Sequence, residues 1–454
     1  MEYEVVVIGG GIGGLTAAAV LAKRGMSVCL FERQSYAGGC AATVLHARHQ
    51  FEPTHGLYCG WETGEIYEQL FTELGEIGPR AKVVSPAYVV RMPDRLDIPR
   101  TSSLPEFEAM LRTAFPECAE AAIEFYRHVS SGGLTNLAHL SLRFRCFIEV
   151  QLQTLLQCAS DECSNQLAAA ALDVRRRFWS IEGGAQSLIN TLLRSFKRSG
   201  GKLRLDSPVL RLAYGSDAFP IGVDLLSGER VTATRAIISN LTLWDTFGKL
   251  VGPARTPRGI LSQLKTLKAW GVYQSFLVLS EPAISRLPSE RILIVTAVQP
   301  EGPYDPEDVQ LVLSLAPLGK DQQDDARRNA VLSVYTRAPE WFSFHEDHSA
   351  HEERDQSMLE QVWSRLHEAM PELGDSVELI ETATPQTFYE TTRRRLGMIG
   401  RPSGDGSSGS AESLARSITS PFPNLWLVGD TVASGAGIEG VVASAWRTAQ
   451  QIIR

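Results

Sequence analysis

The sequence predicts an α/β protein. A parallel sheet of the nucleotide-binding kind, drawn from both ends of the chain, is joined to a second domain of antiparallel sheet and helices. Three observations carry this reading. A Gly-rich strand, turn and helix opens the chain, "VVVIGGGIGGLTAAAVLAKRGMSVCLFER", from Val5 to Arg33. A second one, "NLWLVGDTVASGAGIEGVVASAWRTAQQIIR", closes it. Between them, over residues 273–315, β-rich runs alternate with proline-bearing loops, the pattern of an antiparallel sheet.

The first stretch carries no charge from Val5 to Ala22, and hydropathy alone would make it a membrane span. The glycines at 9, 10, 11, 13 and 14 reject that, because each costs about 1 kcal/mol against alanine in a helix interior. Val5–Ile8 is instead a β-branched run suited to a buried parallel strand. Gly9-x-Gly11-x-x-Gly14, with Gly13 inside the same turn, has dinucleotide-binding spacing. The first glycine allows the tight turn, the second admits a pyrophosphate, and the third lets helix pack on strand. Leu15–Arg24 reads as the helix, with its N-terminal amides toward phosphate, and Gly25 stops it. Ser27–Phe31 is the next strand. Glu32 follows, about 20 residues past the glycines, where a carboxylate accepts from a ribose diol; Arg33 stands beside it. The acidic Glu2 and Glu4 do not suit a secretory signal.

The chain has 454 residues, which implies two or more domains. Its net charge of −8 excludes a nucleic-acid partner and opposes electrostatic docking to anionic lipid. Seven cysteines without a C-x-x-C pair suggest neither a metal site nor a disulfide framework, and reduced thiols place the protein in the cytoplasm.

Further along, Ile66–Leu74 has helical spacing, and Tyr88–Val90 and Leu96–Ile98 read as short strands. Residues 104–174 are mainly helical, and the Leu- and Ala-rich part from Arg143 to Val174 reads as long and amphipathic. A Gly183-Gly184 turn leads into a helix to Arg198, a stop at Gly200-Gly201, and a strand. "ERVTATRAIISN" reads as strand. Tyr273–Ser280, Arg291–Val298 and Val309–Leu315 form the antiparallel set, Gln356–Met370 is an amphipathic helix, and residues 401–415 form a Gly/Ser-rich loop. We expect a discontinuous nucleotide-binding domain of residues 1–75, 175–240 and 383–454, and a substrate domain of residues 76–174 and 241–382.

Taken in order, several stretches resemble the flavin amine-oxidase superfamily, and within it the branch of phytoene desaturases, carotenoid isomerases and C-3′,4′ carotenoid desaturases. After the N-terminal turn come Gly38-Gly39 with Thr43, then Phe51-Glu52 through Gly60-Trp61-Glu62-x-Gly64. Phe147-Ile-Glu-x-Gln151-Leu152 follows, then Gly183-Gly184 through Pro208-Val209, then Thr384-Pro385 with Gly397. Gly429-Asp430 and Gly435-x-Gly437-Ile438 complete the series.

The resemblance implies a Rossmann-like FAD domain. It implies that Asp430 beside Gly429 serves the ribityl or pyrophosphate region, that the amides around Gly437, Ile438 and Val441 face the flavin, and that Val209 contacts adenine through its main chain. The positive end of a helix there would stabilise reduced flavin. No Cys or His lies near the C-terminal motif, so the FAD is expected to be non-covalent. No second complete G-x-G-x-x-G follows a strand, so electrons are expected to pass to oxygen or a quinone.

Three positions depart from the branch. Thr54-His55 replaces small residues, Glu439 replaces a proline, and Cys40 replaces an arginine after the double glycine. His55 and Glu439 are the candidate catalytic residues, as acid–base or substrate-contacting groups. The alternative for both is structural: a packed histidine, and a carboxylate favoured by the first turn of a helix. Arg175–Arg177 and Arg393–Arg395 are candidate acid-binding clusters.

The expected activity is an FAD-dependent oxidoreductase working on C–C and C=C bonds of a small apolar or polyene-like substrate, a desaturase. Three alternatives remain: a redox-neutral polyene isomerase using reduced FAD, an amine or amino-acid oxidase, and a non-catalytic FAD-stabilised scaffold. Residues 130–172 are expected to form an entry collar with weak peripheral contact to membrane.

Overall fold

In the computed structural model two seven-stranded sheets organise the chain. The structure describes residues 1–133, 137–299, 302–317, 326–342, 348–400, 402, 420–433 and 437–454. In the first sheet β1 (Glu2–Ile8) lies parallel to β2 (Val28–Phe31) on one side and to the strand Arg230–Ser239 on the other. Lys202–Arg204 extends the sheet beyond β2. Arg230–Ser239 is long enough to pair twice along its outer edge. Its start meets Pro220–Leu225 antiparallel, and its end meets Leu425–Leu427 in parallel, with Ile237 opposite Leu425. The last strand therefore sits two places from the first.

The helix α1 (Ile12–Lys23) explains the uncharged opening run. Every residue from Ile12 to Ala22 is buried, because β-strands cover one side and the helices Gly184–Arg198 and Gly437–Ile453 cover the other. A helix that is apolar all round is one buried all round. At Gly14 an added Cβ would lie 2.1 Å from the Gly9 carbonyl oxygen, so only glycine permits this approach of helix to strand.

The second sheet runs in the order Val377–Ala383, Gly271–Ser280, Arg327–Thr336, Gln310–Leu315, Arg291–Val295, Val89–Arg91, Asp97–Pro99. It is antiparallel except where Arg291–Val295 meets Val89–Arg91. The strand expected to reach Val298 stops at Val295. The helix expected over Gln356–Met370 runs from His348 to Ala369, with Met358, Val362 and Leu366 buried against the sheet.

Four helices, Leu104–Ala114, Ala119–Ser130, Leu142–Leu156 and Asn165–Leu172, close over one edge. Phe107, Phe115, Tyr126, Phe144 and Phe147 pack edge-on and tilted in their core. Here one expectation is corrected. Leu142–Leu156 is not amphipathic in place, because every residue from Cys146 to Thr154 is buried. Two of its polar side chains are satisfied internally, since Tyr88 donates to Gln151 (2.9 Å) and Glu149 accepts from the Ser160 amide (2.8 Å), while the Gln153 side-chain amide is buried without a hydrogen-bond partner. The helix that motivated a membrane-touching collar leaves no free apolar face there. Among the described residues no helix is long and apolar enough to cross a membrane. Apart from Pro402, the Gly/Ser-rich stretch 401–415 lies outside the described residues.

Candidate functional site

A cavity of about 570 Å³ runs from the N-terminal glycine turn to the second sheet, within the usual range for small-molecule sites. Its floor is the turn between β1 and α1. Gly9 has φ +96°, a conformation L side chains rarely adopt. Gly9, Gly11 and Gly13 line the cavity, while Gly14 sits beneath them in the helix–strand contact. The Glu32 carboxylate reaches back to this turn. It accepts from the Gly10 amide (2.7 Å) and the Gln34 amide (2.9 Å).

The double glycine docks on the same turn. The Gly38 amide donates to the Gly10 carbonyl (2.8 Å), and a Cβ on Gly39 would sit 3.2 Å from the Gly11 Cα. Ser207 donates its amide to the Glu32 carbonyl (2.9 Å), which brings Val209 to the wall beside Glu32 and Arg33. Cys40 also lines the cavity, and burial raises its thiol.

From the other end of the chain, Gly429, Asp430, Gly437, Ile438 and Val441 complete the cradle. Gly435 lies outside the described residues. Both Asp430 carboxylate oxygens accept from Arg394, at 3.2 and 2.8 Å. Arg394 also donates through Nε to the Met398 carbonyl (2.7 Å). It lines the cavity, with the Cys40 side chain within hydrogen-bonding reach of its guanidinium.

Asn240 lies outside the sequence reading, and Arg394 enters it only within the candidate acid-binding cluster Arg393–Arg395. Asn240 closes the strand Arg230–Ser239 and inserts between the two glycine turns. Cβ atoms on Gly11 and Gly13 would come within 2.8 and 2.6 Å of its side chain, and one on Gly429 within 3.1 Å. Its only sequence signal is its place at the end of a predicted strand.

The two catalytic candidates separate. His55 lines the cavity, and its Nε2 shares a 2.9 Å hydrogen bond with the Tyr335 hydroxyl. Burial, reinforced by the nearby Arg291 charge, pushes the imidazole down to about 4, so it is neutral near pH 7. Glu439 is not among the lining residues. It pairs with Arg176 (2.5 Å), whose Nε lies 3.0 Å from Cys59 Sγ. Burial and the Glu439 charge push the Cys59 thiol up to about 12.

The basic runs also divide. Arg175 is held by Asp173 and Arg176 by Glu439, while Arg177 lies 3.8 Å from Glu62. Arg393 and Arg394 line the cavity.

A family profile for flavin containing amine oxidoreductase matches residues 52–453, and one for a NAD(P)-binding Rossmann-like domain matches residues 7–74. The chain belongs to the flavin containing amine oxidoreductase family. Its relatives include proteins named as prolycopene isomerases, all-trans-retinol 13,14-reductases and a phytoene desaturase. It is 23% identical to a chloroplastic prolycopene isomerase of Daucus carota, across 99% of this chain and 80% of that one. It is 23% identical to the all-trans-retinol 13,14-reductase of Homo sapiens, across 100% and 86%. It is 26% identical to a lycopene-forming phytoene desaturase of Pseudescherichia vulneris, across 62% and 58%.

The cofactor of this oxidoreductase is FAD, and the cavity fits it. The glycine turns leave a cradle that side chains would fill. Arg33 lines the cavity with its Nη1 buried and without an acceptor, a donor suited to an anionic or ribose group.

Proposed function

We propose that this FAD-dependent oxidoreductase desaturates a small apolar, polyene-like substrate at a C–C bond, with non-covalent FAD and with oxygen or a quinone as the final electron acceptor. When bound, FAD supplies a two-electron, hydride-accepting centre. The chain's own residues bind the substrate, exclude water and fix the reacting C–H.

The observation that carries this reading is the wall opposite the glycine turns. It is built by Leu57, Leu155, Leu156 and Val272 around a neutral His55–Tyr335 pair. An amine substrate would call for a carboxylate to balance its charge, and this wall has none among the described residues. Three relatives whose names describe an isomerase, a reductase and a desaturase of polyenes or retinoids support chemistry at C=C bonds.

A second reading, redox-neutral isomerisation with reduced FAD, is favoured by the prolycopene isomerases among the relatives. Anaerobic addition of a polyene separates the two. Bleaching of the oxidised-flavin band in step with product supports desaturation. Turnover only after prior reduction, with no net change in flavin oxidation state, supports isomerisation.

A further inference from the structure

The polar groups on the far wall come from three separate segments. His55 follows the strand His49–Phe51, Tyr335 lies in the second sheet, and Gln157 caps the helix Leu142–Leu156. All three line the cavity. Tyr335 and His55 share their 2.9 Å hydrogen bond, and the Gln157 side chain is within hydrogen-bonding reach of the Tyr335 hydroxyl. Around them the wall is Leu57, Leu155, Leu156 and Val272. An apolar pocket with a short chain of uncharged donors and acceptors orients a ligand through one polar point.

The charge behind this chain decides what that point is. Arg291 is 1% exposed and donates through Nε to the His55 carbonyl (3.0 Å). Its Nη1 and Nη2 are buried without hydrogen-bond acceptors, and the Glu290 carboxylate stands 3.6 Å away on the half-exposed side. Glu52, the buried carboxyl nearest this segment, accepts from Thr54 and Tyr58. Burial raises it toward its neutral form. Arg291 is the charge that acts on the His55 ring. An ammonium group brought there would meet a like charge with no carboxylate on the wall to balance it. A carboxylate would lie against His55 and Tyr335 with the guanidinium behind them rather than in contact. An uncharged oxygen can accept from the chain, and a hydroxyl can also donate to it, without bringing a charge that must be balanced.

We propose that His55, Tyr335 and Gln157 form a recognition point for an uncharged oxygen function, a hydroxyl or carbonyl, carried by an otherwise apolar substrate. This rests on the polyene reading above and narrows its substrate class. Tyr335 and Gln157 are specificity-determining residues in it, and His55 acts as a hydrogen-bonding partner rather than a strong base.

The test uses the FAD-loaded enzyme and four probes sharing one polyene chain: hydrocarbon, primary alcohol, primary amine and carboxylic acid. Binding is read from perturbation of the flavin absorption spectrum. The alcohol is expected to bind about 10-fold more tightly than the hydrocarbon, the worth of one net hydrogen bond that would otherwise leave the site unpaired. Tyr335→Phe keeps the buried ring and removes only the hydroxyl. It should erase that preference, bringing alcohol and hydrocarbon to equal affinity.

Equal binding of alcohol and hydrocarbon by the wild type overturns the proposal. So does a preference that survives both Tyr335→Phe and Gln157→Leu, or tightest binding by the amine or the acid. If none of the four probes perturbs the flavin, the polyene reading itself fails, and this proposal with it.

Discussion

Replacing Glu32 by alanine tests the nucleotide end of the cavity. The carboxylate offers about four lone-pair sites, and the Gly10 and Gln34 amides occupy one on each oxygen. One site per oxygen remains for a ribose hydroxyl. At 8% exposure the group is shielded from bulk water, so a hydrogen bond made there keeps most of its value. A hydrogen bond to a charged group contributes about 1.5–3 kcal/mol, and 1.4 kcal/mol is tenfold in affinity. Loss of a single ribose contact should therefore raise the FAD dissociation constant roughly 10- to 100-fold. Glutamine is no milder control. Its NH₂ must face either the Gly10 or the Gln34 amide, setting donor against donor. The assay is quenching of FAD fluorescence on titration with deflavinated protein, with a thermal melt of the same sample. A dissociation constant within twofold of wild type, in a variant that melts normally, would refute the ribose role.

Four further outcomes are expected. Arg394→Met should weaken FAD binding by about 10-fold or more in the same titration, since it strips Asp430 of both its donors and removes a guanidinium from the cavity wall; unchanged affinity would make Arg394 a purely structural partner. Glu439→Gln should lower the melting temperature and leave turnover per bound flavin intact, because Glu439 holds Arg176 rather than lining the cavity; a 100-fold loss per flavin would return it to the reacting site. Glu149 titrates at about 7 against 4.5 unfolded, so the folded chain holds a proton the unfolded one has lost, and stability falls as pH rises through that window. Glu149→Gln should accordingly gain on the wild type between those values, by at most about 3 kcal/mol, and keep a constant lead above them; a gap that does not change with pH would count against a buried, proton-holding Glu149. Acid precipitation of the holoprotein should release unmodified FAD into the supernatant, and flavin retained on the denatured chain would show a covalent link.

How much of this was legible in the sequence follows from how local each constraint is. The turn at Gly9–Gly14 and the carboxylate at Glu32 are fixed within one strand–helix–strand unit, so spacing alone exposed them. Asn240 and Arg394 reach the same turn only through the assembled sheet. No periodicity links Asn240 to Gly11, or Arg394 to the Gly-Asp turn it serves. Tyr335 was equally hidden, because its strand begins Arg-Arg-Asn and shows its apolar half only from Ala330 onward.

Glu439 was placed correctly in its helix, but its direction was not legible. Each residue rotates the side chain by about 100°. Ile438 and Val441 face the cavity while Glu439 turns toward Gly60 and Arg176. In Leu142–Leu156 the amphipathic reading implies a wetted face, yet Glu149, Gln151 and Gln153 are all buried. Internal hydrogen bonds had replaced water for Glu149 and Gln151, and composition does not reveal such partners.

The meeting of both chain ends on one sheet also sets a timetable. Glu32 leaves the ribosome roughly 20–80 s before Asp430, at about 5–20 residues per second. Throughout that interval α1 lacks the helix Gly437–Ile453 that covers part of its uncharged surface, and the cradle lacks Asp430 and the Gly437–Val441 wall. A nascent chain halted before Leu425 thus carries a complete glycine turn and an adhesive helix, but half a binding site. The cradle closes only when Asp430 and Gly437–Val441 have been made, so loading of the flavin falls late in synthesis.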